Sequence, residues 1–274
     1  MLKLLACLFM LIDHIGYYLY PILPDWLSAT MRLVGRLAFP MFAWGIALGY
    51  TRTRNPVIYF FRMALFAFIS EIVIRISHQE AGLSWSGTNV LVTFALAIVM
   101  ISGYRLAMYS FFDMVGSLRP VTPGDGGTSP DSRFDVKLNP RGITLDPRIG
   151  LPAGLLMIFM SAFASEILRP DYGLYGLLTV TLFYIARDFF DEPDLLKRSL
   201  QFFIVLNAFF LIFRIVGEAM PTDWAIVQTF SIVALPLCEQ FQYGRKPGKL
   251  AKYAFYLFYP GHLALLALLS SFLI

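Results

Sequence analysis

An aspartate and a histidine stand side by side in the middle of an apolar run near the start of the chain. The run covers residues 4–20, with Asp13 and His14 close to its centre. A run of this length can cross a membrane, and an ionisable side chain near the bilayer centre costs about 2.5–3.5 kcal/mol. Such residues usually face a polar cavity and mark a functional path. The alternative is that the pair makes only a structural polar contact between helices.

A second histidine, His262, follows a Pro-Gly pair about ten residues into the last apolar run. Pro260 and Gly261 predict a break in a membrane helix, which would leave Tyr259 and His262 at a depth similar to that of the Asp-His pair. The alternative is a histidine that is simply packed between helices. His78, by contrast, is predicted to lie solvated in a loop.

Four arginines are candidates for binding an anion. Arg36 precedes Pro40, a proline expected to free a backbone carbonyl inside the second apolar run. Arg52 and Arg54 belong to a short turn, and Arg62 lies further along the next run. Arginines close together suit bidentate recognition of phosphates. The alternatives are an interfacial snorkelling role for Arg36 and a purely topological role for the cations of the turn.

The composition identifies an integral membrane protein. The 274 residues are 58% hydrophobic and only 15% charged, whereas soluble domains carry about 25% charged residues. The net charge of +4 is spread over loops, so it indicates membrane orientation and not nucleic-acid binding. Nine apolar segments are each near the roughly 20 residues that a spanning helix needs. They cover residues 4–20, 31–50, 57–76, 90–108, 151–168, 174–189, 200–216, 224–237 and 253–274.

The predicted fold is therefore all-α, a polytopic transmembrane helical bundle of about nine spans in one domain covering residues 1–274. Placing the N-terminus inside puts sixteen of the 22 Lys and Arg residues in inner loops and five in outer ones, so the N-terminus is predicted inside and the C-terminus outside. Residues 116–150, rich in Gly and Pro, predict a flexible cytoplasmic loop.

The remaining polar residues give weaker signals. Glu71 and Arg75 stand four residues apart, which predicts an ion pair along one helix. Cys7 and Cys238 lie in apolar surroundings without the spacing of a zinc site.

Several common catalytic motifs are absent from the sequence, including a P-loop, a dinucleotide-binding glycine set and a nucleophile elbow. A metal held by Asp13, His14 and His262 is conceivable, but adjacent residues point about 100° apart on a helix. No metal is expected.

Taken together, these motifs resemble the TraX family, the membrane proteins linked to N-terminal acetylation of conjugative pilin. The resemblance runs from the first span to the last. The matching stretches are Leu2-Lys3-Leu4-Leu5-Ala6, Met10-Leu-Ile-Asp-His-Ile-Gly-Tyr17, Gly35-Arg-Leu-Ala-Phe-Pro-Met-Phe-Ala43, Gly49-Tyr50-Thr51-Arg-Thr-Arg-Asn55, Phe66-Ala-Phe-Ile-Ser-Glu71, Asp171-Tyr172-Gly173 and Lys252-Tyr-Ala-Phe-Tyr-Leu-Phe-Tyr-Pro-Gly-His262-Leu263.

The resemblance implies an acyltransferase of the bacterial inner membrane that takes acetyl groups from cytosolic acetyl-CoA. It implies His14 as base and Asp13 as its helper, with Arg36, Arg52, Arg54 and Arg62 as contacts for CoA. The acceptor stays open between a pilin and a surface glycan, because the loop at residues 116–150 looks longer than the family pattern requires. Lipid is the other partner, and no nucleic acid is expected.

Reaction chemistry adds roles for the C-terminal pair. A histidine titrates close to neutral pH, which suits a base that deprotonates an amine or alcohol. Tyr259 and His262 would then donate hydrogen bonds to the developing oxyanion. An exchange of roles, with His262 as the base, is the alternative. A different class of function, a non-enzymatic permease or pilus-assembly factor, would use the same polar residues to bind a solute or a helix.

The orientation is directly testable. A reporter fused after Ile274 is expected to lie outside the cytoplasm, because the cation-rich loops are predicted to stay inside. An alkaline phosphatase fusion at this position reports a C-terminus outside the cytoplasm, and a green fluorescent protein fusion reports one inside. Fluorescence with no phosphatase activity would contradict the prediction.

Overall fold

The computed structural model describes residues 1–84, 86–117, 146–216, 227–241 and 249–273. Every regular element within these ranges is a helix, which confirms the all-α prediction; one isolated bridge joins Thr88 to Pro170. The helices are α1 (Leu2–Tyr18), α2 (Asp25–Gly35), α3 (Ala38–Thr51), α4 (Pro56–Glu80), α5 (Val90–Ser117), α6 (Pro147–Leu168), α7 (Gly173–Phe189), α8 (Glu192–Val216), α9 (Ala234–Phe241) and α10 (Lys249–Leu273), with a 3₁₀ turn at Phe230–Val233.

Six helical stretches of the described chain are long and apolar enough to cross a membrane. They lie within α2 and α3 taken together, α4, α5, α6, α8 and α10. These stretches confirm a polytopic helical membrane protein. The other three of the nine predicted spans stay predictions, as does the orientation: α1 and α7 have 17 residues each, and residues 224–226 of the eighth segment lie outside the described residues.

The outer helices turn apolar side chains away from the protein. Only 17% of the most apolar stretch of α6 is buried, and only 28% of the most apolar stretch of α4. Phe61 and Phe68 on α4 and Phe159 on α6 are more than 60% exposed. Large apolar side chains exposed in continuous rows are compatible with a lipid environment and not with water.

The centre of the bundle is formed by α3 and α7. Trp44 of α3 and Phe183 of α7 have no exposed surface and meet edge to face at 5.4 Å between ring centroids. Ala43 and Ala47 are equally buried. Small residues on α3 let the neighbouring helices approach closely, as is common where membrane helices pack.

The helical structure is interrupted between α2 and α3, at Arg36 and Leu37. Pro40 is the third residue of α3, where its missing N–H would have had no helical partner. The expectation that Pro40 frees a carbonyl inside the second span is therefore wrong. Ser28 of α2 donates a hydrogen bond to the carbonyl of Gly16 at 2.7 Å, so α2 folds back along α1.

Pro260 does not break the last helix. α10 continues through it from Lys249 to Leu273, so the predicted break at Pro260 and Gly261 is wrong. A proline inside a membrane helix is tolerated when neighbouring groups accommodate the lost hydrogen bond. The predicted loop at residues 116–150 is shorter at both ends, because α5 reaches Ser117 and α6 begins at Pro147; residues 118–145 lie outside the described residues.

Two glycines bring α5 and α6 into backbone contact. A Cβ added at Gly154 would lie 2.5 Å from the amide nitrogen of Ala107 and 2.9 Å from its Cα. A Cβ at Gly103 would lie 2.7 Å from the carbonyl oxygen of Gly154. Because these neighbours are backbone atoms, they cannot rotate out of the way. α6 has little other buried surface, so this contact holds it in place.

We expect Gly154→Ala to lower the thermal stability of the purified protein in detergent, because overpacking typically costs about 1–3 kcal/mol. Gly45→Ala on α3 is the matched control, since nothing lies within 4 Å of its added Cβ and alanine favours a helix by roughly 1 kcal/mol. Equal melting temperatures for the two variants would show that the α5–α6 contact tolerates a methyl group.

Candidate functional site

A cavity of about 380 Å³ lies at the end of the bundle where α1 and α4 end and α5 and α7 begin. We call it the histidine cavity and this end of the bundle the cavity end. Its ionisable lining residues come from several helices and the loops between them. They are Asp13, His14, Tyr17, Tyr18, Arg32, Arg36, Asp171, Tyr172 and Tyr259.

The two histidines meet at this cavity. His262 Nε2 lies 2.9 Å from His14 Nδ1, and His262 Nδ1 lies 2.7 Å from the carbonyl oxygen of Phe258. A carbonyl only accepts, so His262 Nδ1 carries the proton of the neutral ring. His262 Nε2 is then an acceptor, and His14 donates to it through Nδ1. This assignment leaves Nε2 of His14 unprotonated, on a ring that lines the cavity.

Asp13 is paired with an arginine of the next helix. Arg32 Nη1 donates to Asp13 Oδ2 at 2.6 Å. The other oxygen, Asp13 Oδ1, is buried and accepts no hydrogen bond from the residues the structure describes. A Cβ added at Gly35 would lie 2.6 Å from Asp13 Cγ, so glycine is needed there for α2 to approach the carboxylate.

Arg36 lies at the junction of α2 and α3 and is only 6% exposed. Three residues later in the chain, Phe39 stacks on Tyr172, with ring centroids 3.8 Å apart and planes 12° apart. Both aromatic residues line the cavity with Arg36. The stretch Gly35–Pro40 therefore has three roles at the cavity. Gly35 lets α2 approach Asp13, Arg36 supplies a buried cation, and Phe39 forms part of an aromatic wall.

The loop before α7 supplies the second carboxylate of the cavity. Tyr172 has a φ of 68° and Arg169 a φ of 45°, a region that non-glycine residues rarely adopt and that is often found at functional sites. The loop is held by backbone hydrogen bonds between Asp171 and Thr88 (2.9 Å) and between Thr88 and Arg169 (3.1 Å). Burial and then the nearby Glu71 carboxylate raise the pKa of Asp171 to about 7.

His78 is buried, not solvated as predicted. It lies near the end of α4 and is 2% exposed. Its Nδ1 donates to the carbonyl of Ile74 at 2.8 Å, so its Nε2 accepts from the hydroxyl of Tyr18 at 2.8 Å. The prediction failed because α4 continues past the end of the apolar run at Ile76. Glu71 and Arg75 do pair, at 2.7 Å, as predicted.

The structure brings together some of the predicted site residues and separates others. Asp13, His14, Arg36 and Tyr259 line the histidine cavity, and His262 bonds to His14. Arg52, Arg54 and Arg62 are elsewhere. α3 begins at the cavity and ends at Thr51, so at 1.5 Å per residue the Arg52 turn lies about 20 Å away.

These three arginines also differ in their surroundings. Arg52 and Arg54 are exposed. Arg62 is partly buried and lies over the ring of Tyr59 at 5.3 Å from its centroid. None of them contacts the histidines within the described part of the chain, so any ligand that used both groups would have to extend along the bundle.

Arg32 and Asp171 were missed as site residues by sequence reasoning. Arg32 stands four residues before Arg36, a spacing that places two residues on the same face of a helix. This spacing could have identified Arg32 as a neighbour of Arg36. Asp171 belongs to a motif that was recognised, but its position beside Arg36 depends on the fold. No group of three or more His, Cys, Asp or Glu residues that could hold a metal occurs among the residues described.

Comparisons with known proteins identify relatives of this chain. The chain is 24% identical over 282 aligned residues, 99% of this chain and 95% of the relative, to the probable fimbrial assembly protein FimC, serogroup H1, of Dichelobacter nodosus. It is 34% identical over 112 residues, 41% of this chain and 40% of the relative, to the uncharacterized protein RP591 of Rickettsia prowazekii (strain Madrid E). No solved structure matches it.

A family model matches most of the chain. It covers residues 1–108 and 147–270, and its description is TraX protein. The matched residues include Asp13, His14, Arg36, Asp171 and His262, the polar residues that meet at the cavity. By this match, the chain belongs to the TraX family.

Proposed function

We propose that the protein is a membrane-embedded acyltransferase of the bacterial inner membrane. It moves an acetyl group from acetyl-CoA to an acceptor such as a pilin N-terminus or a surface glycan. The observation that carries the proposal is the hydrogen bond between His14 and His262. It leaves a histidine nitrogen with a free lone pair on a ring that lines a polar cavity. A neutral imidazole placed in this way is suited to act as a general base.

In the proposed reaction His14 Nε2 takes a proton from the amine or hydroxyl of the acceptor. The acceptor atom forms a bond to the acetyl carbon, the carbon–sulfur bond of the thioester breaks, and the sulfur leaves with the proton from His14. While His14 carries two protons, its Nδ1–H bond to His262 stabilises the positive charge. Tyr259 and Arg36, which both line the cavity, would stabilise negative charge on the acetyl oxygen. The predicted oxyanion contact from His262 is wrong for this tautomer, because its one N–H already donates to the carbonyl of Phe258.

Asp13 has a different role in this proposal. Its paired oxygen is occupied by Arg32, and its second oxygen is buried without a donor among the described residues. An acceptor ammonium group would satisfy that oxygen. Asp171 supplies a second carboxylate at the same cavity. An acceptor that arrives as an ammonium must lose two protons. Asp171 would take the first, which frees the amine, and His14 would take the second as the amine attacks and pass it to the leaving sulfur.

The donor is proposed to bind along the bundle. CoA carries its phosphates at one end of a long flexible arm and the thioester at the other. Arg52, Arg54 and Arg62 would hold the phosphates at the opposite end of the bundle, and the arm would bring the thioester towards His14. The roughly 20 Å from the turn to the cavity requires an extended ligand, and CoA has that shape.

A non-enzymatic assembly role is the second candidate. It is favoured by one observation, that the full-length relative carries the name of a fimbrial assembly protein. In that case the polar residues would bind a pilus component and the histidines would serve only to hold α10 against α1. Chemistry at His14 separates the two candidates.

We expect His14→Ala to lower acetyl transfer by at least about 10²-fold, the usual scale for a lost general base. His262→Ala should lower it less, because His262 only orients His14. The measurement is mass spectrometry of pilins and surface polymers from cells that express each variant, with membrane insertion checked by immunoblot. Loss in His262→Ala alone would make His262 the base. Normal acetylation and normal assembly in both would end the histidine-base mechanism.

We also expect Arg62→Lys to weaken acetyl-CoA binding, because lysine cannot reproduce the bidentate contact of arginine with a phosphate. Arg169→Lys, an exposed position at the cavity end, is the matched control. Equilibrium binding of acetyl-CoA to the purified proteins measures the effect. Equal affinities for both variants would return Arg62 to a packing role over Tyr59.

A further inference from the structure

A second cavity lies beside the first. It has a volume of about 590 Å³ and is formed by the end of α6, the start of α7, the second half of α8 and the residue Gln228. Its walls include the apolar side chains of Leu174, Phe210 and Phe213. Glu166, which is exposed, is the only charged residue among the described residues that line it. The proposed mechanism uses no part of this cavity.

A chain of hydrogen bonds fixes the polar groups of this second cavity. Asn207 Nδ2 donates to the carbonyl of Phe203 at 2.7 Å, which sets Asn207 Oδ1 as an acceptor for the hydroxyl of Tyr175 at 3.2 Å. The proton of Tyr175 is then in use, so its oxygen accepts from Gln228 Nε2 at 3.3 Å. These partners orient the amide of Gln228 so that its Nε2 faces the hydroxyl of Tyr175.

This orientation leaves one acceptor unused. Gln228 is 3% exposed, and its Oε1 has no donor among the described residues. A buried acceptor without a donor is costly, and Gln228 lines the cavity. A ligand that donates one N–H or O–H would satisfy it.

The two cavities share a wall. Tyr172 lines both of them, in the left-handed conformation and stacked on Phe39. Gly173, which follows it, also has a positive φ of 45°. A chain lying in the second cavity would therefore have its end next to the histidine cavity.

We propose that the second cavity binds an extended apolar peptide segment of the acceptor, with one backbone N–H donating to Gln228 Oε1. The inference rests on the proposed function for the reaction that the bound segment undergoes. A peptide fits because it offers N–H donors at intervals along a chain whose side chains can contact Leu174, Phe210 and Phe213. A glycan would present many hydroxyl groups to apolar walls, and a lipid acyl chain has no donor for Gln228.

The test is a binding experiment that does not require catalysis. A short synthetic peptide of leucine and alanine, with a free N-terminus and a fluorophore at its C-terminus, is titrated with the purified full-length protein and followed by fluorescence anisotropy. The same peptide is then made with each internal amide N-methylated in turn. Empty detergent micelles correct for partitioning.

We expect one N-methyl position to weaken binding to the wild type about tenfold, the scale of one buried hydrogen bond. Gln228→Leu should weaken binding of the parent peptide by a similar factor and show no further loss with that N-methyl peptide. Gln79→Leu, an exposed glutamine near the end of α4, should behave as the wild type does.

Three outcomes would overturn the inference. They are no binding of the parent peptide to the wild type, equal affinity for all N-methyl peptides, and a pattern in Gln228→Leu that matches the wild type. If Gln228→Leu does not fold, the N-methyl series on the wild type decides. Failure of the proposed function is distinguishable, because His14→Ala should keep the N-methyl pattern whether or not acetyl transfer exists.

Discussion

The ion pair between Asp13 and Arg32 is the contact on which the cavity end of the bundle depends. A carboxylate buried among the apolar helices of a membrane protein is costly unless an opposite charge meets it. Arg32 meets it at 2.6 Å, but only because α2 folds back along α1. Gly16 and Gly35 permit that approach, since a Cβ at either position would collide with the facing helix.

The same packing places the next residues of the chain. Once α2 has turned back, the break at Arg36 and Leu37 directs α3 through the centre of the protein. Arg36 is left buried at the cavity, and Phe39 faces the loop before α7. The stack of Phe39 on Tyr172 then helps to hold a tyrosine at a positive φ, a conformation that costs about 1–3 kcal/mol. One charge pair, two glycines and one aromatic stack thus link three separate stretches of sequence.

The proposed chemistry uses neutral hydrogen bonding more than charge. The carbonyl of Phe258 determines which nitrogen of His262 carries a proton, and His262 in turn orients His14. A similar chain in the second cavity leads from Phe203 through Asn207 and Tyr175 to Gln228. In both chains a backbone carbonyl at one end determines the hydrogen-bonding capacity of the side chain at the other. The two chains end at neighbouring cavities that share Tyr172.

The sequence by itself determined the class of the protein and the identity of its most unusual residues. Apolar runs of nearly 20 residues require helices, because backbone polar groups in lipid must be satisfied within the segment. Asp13, His14 and His262 were recognisable because ionisable residues inside apolar runs of that length are rare. Pairing at i,i+4 between Glu71 and Arg75 is local and was equally predictable.

Only the tertiary structure decided which of these residues meet. The partner of Asp13 is Arg32, 19 residues away, and the partner of His14 is His262, 248 residues away. Neither distance along the chain carries a local signal, since both pairs depend on how α2 and α10 pack against α1. The burial of His78, the separation of Arg52, Arg54 and Arg62 from the cavity, and the position of Asp171 were decided in the same way. Helix formation follows from local periodicity, whereas a site between helices follows from packing.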